Sequence, residues 1–99
     1  MTKSLSKIKN KIIPILKQND IAKASIFGSY ARGQANSKSD VDMMIEYKKK
    51  KSLLDLIGLE QELEEKIGIK FDITTYKAIN YLIRDQVYKD QVVILNKNE

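Results

Sequence analysis

The 99 residues include no cysteine and no histidine. Disulfides, thiolate zinc sites, Ser-His or Cys-His nucleophile pairs and imidazole acid–base chemistry are therefore excluded. Any catalysis must come from carboxylates, Lys, Arg, Tyr or hydroxyls, and carboxylates with a hard, oxygen-seeking cation such as magnesium suit that inventory best. No apolar run approaches the roughly 20 residues that span a bilayer, and no signal-peptide pattern precedes the first helix, so the expectation is a cytoplasmic protein with no membrane partner. Neither a repeat nor a linker interrupts the chain, and residues 1–99 are expected to form one small domain.

What is present is a globular apolar fraction of 42% and a basic balance: 18 Lys plus Arg against 13 Asp plus Glu, a net charge of +5. Such a balance favours encounter with polyanions or acidic partners. Sixteen of the basic residues are Lys, a usage that also suits a thermophile or an A/T-rich genome. Aromatic residues do not interleave with the basic ones as a base-stacking platform requires, so direct nucleic-acid binding is not the expectation.

Along the chain, Leu5, Ile8, Ile12 and Leu16 recur at spacings of three and four, predicting an amphipathic helix over 4–18 with Ser4 as its cap. Pro14 should kink or shorten it, and Asn19 and Asp20 should end it. Residues 21–27 and 41–47 have strand character. Lys48 to Lys51 read as a solvated turn, or alternatively as a docking patch for an acidic partner or RNA. A second helix over 52–67 has Ser52 as its cap, Gly68 as its left-handed stop, and Leu53, Leu56, Ile57, Leu63 and Ile67 as its apolar stripe, with Glu60, Glu62, Glu64 and Glu65 turned to water. A strand follows over 69–76, then a helix over 78–90 through Ile79, Leu82, Ile83 and Val87, and VVIL at 92–95 as a terminal strand or extended tail. This order predicts an α+β domain with a small mixed sheet and helices packed on one side.

The chemistry concentrates in residues 26–47, IFGSYARGQANSKSDVDMMIEY. Gly28 allows a phosphate to approach without a Cβ in the way, and Ser29 adds a hydroxyl. The segment Ser29 to Gly33 can form a helical turn whose free N–H groups point at an anion. Arg32 is placed to pair with the acids or to contact phosphate. Asp40 and Asp42, two apart at the start of a strand, share one face. Asp72 sits in the middle of a short apolar strand, where burial is costly unless the carboxylate is paired or metal-bound. Three such acids converging at one end of the sheet repel one another and are favoured mainly around a divalent cation. Asp40 and Asp42 could hold magnesium together with a nucleotide triphosphate, and Asp72 could bridge to a second ion or take a hydroxyl proton. Tyr30 could cover the nucleotide, with packing against the next helix the favoured role. Tyr30, Tyr47, Tyr76, Tyr81 and Tyr88 are all candidate self-modification sites.

GSYARG followed by SDVD resembles the G-S-x(10)-D-x-D pattern of the minimal nucleotidyltransferase (MNT) family within the DNA polymerase β superfamily, and FDIT resembles that family's third-acid strand. Nearly the whole chain is covered. Within the family, the chain is most similar to MntA-type antitoxins of HEPN/MNT toxin–antitoxin systems. The resemblance implies a polymerase β-type fold and a protein adenylyltransferase that moves AMP from ATP to a tyrosine of a HEPN ribonuclease toxin, using one or two Mg2+ ions. It also implies nucleotide binding by Gly28 and Ser29, metal binding by Asp40 and Asp42, and catalysis by these two with Asp72 as the third acid. Alternatives are an antitoxin that neutralises by occlusion alone, or a transferase acting on a small molecule.

Overall fold

The computed structural model describes residues 5–36, 38–79 and 82–96. The expected Ser4 cap and the candidate Tyr81 lie outside them. The elements are α1 (Leu5–Gln18), β1 (Ile21–Phe27), α2 (Gly28–Ala31), β2 (Val41–Tyr47), α3 (Leu53–Ile67), β3 (Phe71–Thr75), α4 (Arg84–Asp90) and β4 (Val92–Leu95).

The four strands form one mixed sheet in the order β3-β2-β1-β4. β1 pairs antiparallel with both β2 and β4. β2 and β3 run parallel, Asp42 opposite Asp72, which requires a crossover, and α3 supplies it. Alternation along the strands divides the residues between two faces. Ala24, Ile26, Val41, Met43, Ile45, Phe71 and Ile73 join Ile8, Ile12 and Leu16 of α1 and Leu59, Leu63 and Ile67 of α3 in the main core. The two long helices thus share one side, as the α+β reading expects. The expectation that the helices pack on one side fails for α4: Met44 alternates to the other face of β2, and Val87 of α4, with Ile79 ahead of that helix, packs against it there in a small second cluster.

Several local expectations need correction. Pro14 does not shorten α1, which continues to Gln18. Pro14 is exposed, so the Asn10 carbonyl that loses its donor can turn to water. Helix α1 does end where expected: the Asn19 amide donates to the Ile15 carbonyl at 2.7 Å and Asp20 takes a positive φ of 61°. In α3 the buried stripe is Leu59, Leu63 and Ile67, while Leu53 and Ile57 are 70% and 40% exposed. The helix begins with a Ser52–Asp55 capping box and stops at Gly68 in the left-handed region, φ 82°.

Glu60 and Glu64 are not simply turned to water. They accept hydrogen bonds from the backbone N–H groups of Ile73 at 2.8 Å and Phe71 at 3.3 Å. These donors lie on the open edge of β3, where unpaired groups invite another strand. The helix expected over 78–90 is reduced to Arg84–Asp90, with turns through residues 76–78. VVIL resolves as strand β4.

Since Leu63 is fully buried and Leu54 is 78% exposed on the same helix, Leu63→Ala should cost about 3 kcal/mol. Leu54→Ala should change stability by under about 0.5 kcal/mol. Urea melts of the two variants check the assignment of the core stripe.

Candidate functional site

β1 delivers the chain to Gly28 next to the start of β2, because Phe27 is the register partner of Asp42. Gly28 has φ +72°, a region that side chains reach only with strain. A Cβ here would run into Oδ2 of Asp42 and stand 3.2 Å from its Cγ, so only glycine lets the turn lie against that carboxylate. The chain then coils into α2. The backbone N–H groups of Arg32 and Gln34 bond back to the carbonyls of Gly28 at 3.1 Å and Ser29 at 2.8 Å, while the N–H groups of the first turn have no acceptor within the helix. Tyr30 is buried in the main core, in keeping with the packing role.

Asp42 and Asp72 lie side by side on parallel strands, on the face opposite the main core. Burial raises the Asp42 carboxyl above the ordinary range; the charges of Asp72 and then Asp40 raise it further, and Arg32 opposes them. Asp40 precedes β2 and is exposed. Asp72 is exposed too, so the cost of burying an acid in mid-strand does not arise. Among the described residues no three acids stand together as a metal-holding group. The fit to a cation therefore rests on like charges left mutually uncompensated around Asp42. That is the environment a divalent cation relieves, and magnesium needs only one or two carboxylates when phosphate oxygens and water complete its shell.

Gly28, Arg32, Asp42 and Asp72 line one open cavity of about 530 Å³, together with the apolar Ile79 and Val87. Asp40 and Ser29 are not in its lining. Arg32 pairs with neither strand acid. Its guanidinium lies 3.5 Å from the Asp90 carboxylate at the end of α4 and donates to Gln34 at 3.1 Å. Gln86 donates to the same carboxylate at 2.9 Å. Sequence reading missed Asp90 and Gln86, since nothing in the pattern of a short amphipathic helix tells which distant turn it will meet.

A mixed sheet with paired acids beside a glycine turn defines a nucleotidyltransferase type of domain. The polymerase beta nucleotidyltransferase family matches residues 10–99, and the chain belongs to it. A Methanocaldococcus jannaschii protein assigned as a candidate protein adenylyltransferase is 45% identical over 92 residues, spanning 93% of this chain and 99% of that protein. The protein adenylyltransferase MntA of Thermococcus cleftensis is 32% identical over 74 residues, 75% of each chain. The solved complex of tri-AMPylated Shewanella oneidensis HEPN toxin with MNT antitoxin aligns with a TM-score of 0.73 at 19% identity, covering 94% of this chain and 73% of that one. At that identity the match bears on the fold alone.

Two outcomes follow from this geometry. Gly33 also has a positive φ but open space around it, so Gly33→Ala should cost about 1 kcal/mol and Gly28→Ala at least about 2 kcal/mol, compared by urea melts. Because folding raises the Asp42 carboxyl, its ionised form opposes folding. That cost is fully present above the folded-state value and fades as pH falls through it. Asp42→Asn should therefore raise Tm at neutral pH, with the gap narrowing on acidification.

Proposed function

We propose that the chain is the antitoxin of a toxin–antitoxin pair and a protein adenylyltransferase that moves AMP from ATP to a tyrosine of a HEPN-type ribonuclease partner. The observation that carries the reading is the pairing of Asp42 with Asp72 against Gly28 in one cavity, in a chain 45% identical to a protein assigned to protein adenylylation. Protein adenylylation is supported by the MntA relative and a HEPN partner by the AMPylated HEPN toxin bound to its MNT antitoxin; the tyrosine acceptor is what the resemblance to the MNT family implies.

In this reading Gly28 and Ser29 cradle the triphosphate, and Arg32, already at the cavity wall, turns its guanidinium to the phosphates. Asp40 and Asp42 would hold Mg2+, with Asp72 beside Asp42; the chemistry such a cation would supply is neutralisation of phosphate charge. The tyrosine oxygen forms a bond to the α-phosphorus of ATP as the bond to the β-phosphate oxygen breaks. Pyrophosphate leaves with its electron pair, and the phenol proton passes to Asp72. No helix among the described residues is long and apolar enough to cross a membrane. Catalysis and its setting are read together as those of a single cytoplasmic domain.

The test is mass spectrometry of a HEPN-type protein that binds this chain, incubated with the chain, ATP and Mg2+. Adenylate mass should appear on the partner, be lost with EDTA, and be absent with Asp42→Ala, whose circular dichroism should match the wild type. An unmodified partner with the wild-type chain counts against transfer. If Asp42→Ala still neutralises the toxin in cells, occlusion rather than chemistry is the working mode.

A further inference from the structure

At the end of the sheet away from the acids, the loops leaving β2 and β3 bring five lysines together. Lys48, Lys49, Lys50, Lys51 and Lys77 line a groove of about 540 Å³ beside Tyr47 and Tyr76. Lys51 is held by Asp20 at 3.1 Å, whose charge also acts on Lys48 and Lys49, and Glu46 shares the lining; among the described residues no salt bridge engages Lys48, Lys49, Lys50 or Lys77. The run leads through Ser52 directly into the first turns of α3, where Leu53, Leu54 and Ile57 are 70%, 78% and 40% exposed. This apolar stripe is a second one, separate from the Leu59, Leu63 and Ile67 stripe that meets the sheet.

We propose that this composite face, lysines beside exposed leucines, is the surface that grips the partner protein, and that it takes an acidic amphipathic segment. The inference rests on the antitoxin reading and names the interface it leaves open. An apolar centre with a charged border is the anatomy of a protein interface. A phosphate backbone would use the lysines and leave Leu53 and Leu54 wet, so the apolar residues favour protein over RNA. A second copy docked through the same patch would set lysine run against lysine run, which repels. The groove carries five lysines against one acid in its lining, so acidic side chains on a partner segment meet the excess positive charge, and apolar ones on the same segment cover the leucines. From Asp42 to Tyr47 the strand rises roughly 17 Å, so a partner held here leaves the cavity open to ATP.

The experiment uses the full chain and the same HEPN-type partner, fluorescently labelled, with anisotropy read at about 50 and about 300 mM salt. The triple variant Lys48→Glu, Lys49→Glu, Lys50→Glu should weaken binding by about tenfold or more at low salt and by less at high salt. Leu54→Ser should weaken it about tenfold at both. ATP binding and Tm should match the wild type in each. Affinities within about twofold of wild type overturn the proposal, as does lysine-dependent binding to a labelled single-stranded RNA or to anionic vesicles while partner binding is unchanged. Failed adenylate transfer with intact, patch-dependent binding sinks the transfer reading and leaves this surface standing; intact transfer with patch-independent binding does the reverse.

Discussion

Everything at the candidate site follows from the position of β2 between an antiparallel and a parallel neighbour. The antiparallel pairing sets Phe27 beside Asp42, and with it the Gly28 turn; the parallel pairing sets Asp72 on the other side of the same carboxylate. Two negative groups are thereby fixed next to each other, with Asp42 partly desolvated, an arrangement that opposes folding. The fold offsets the repulsion with a core built on the other face of the sheet, where Ile26, Met43 and Ile45 are fully buried against α1 and α3. One face stabilises and the other is left free to carry charge.

The second layer of the site comes from the chain's return. After β3 the backbone crosses to the acidic face, places Ile79 and Val87 on Met44, and brings Asp90 to Arg32. This ties α4 to the turn after Gly28 and gives the cavity an apolar wall opposite its carboxylates. At the far end, the loops after β2 and β3 gather positive charge. A single sheet thus separates an acidic end from a basic end, with the nucleotidyltransferase motif at the first and an unmatched cationic, apolar surface at the second.

The extent to which this was legible varies with the range of the interaction. The boundaries of β1 and β2 agree with the expected 21–27 and 41–47 residue for residue, because apolar strands bounded by Asn-Asp, Gly-Ser and Lys-rich turns announce themselves locally. The Ser52 cap and Gly68 stop were equally plain. The apolar face of α3 was misjudged because the helix carries two stripes, and periodicity alone cannot tell which one meets the sheet. Glu60 and Glu64 resembled an ordinary wet face; their hydrogen bonds to β3 depend on how closely the helix lies over that strand.

The sequence by itself determined the bounds of β1 and β2, the cap and stop of α3, the glycine turn before the acids and the family to which that spacing belongs, since these are written in residues near one another in the chain. Only the tertiary structure decided that Asp42 faces Asp72, that Arg32 answers Asp90 and not the strand acids, and that Lys77 joins the Lys48 to Lys51 run around one groove. Those are meetings between segments separated by tens of residues, and strand register, helix crossover and loop path set them together.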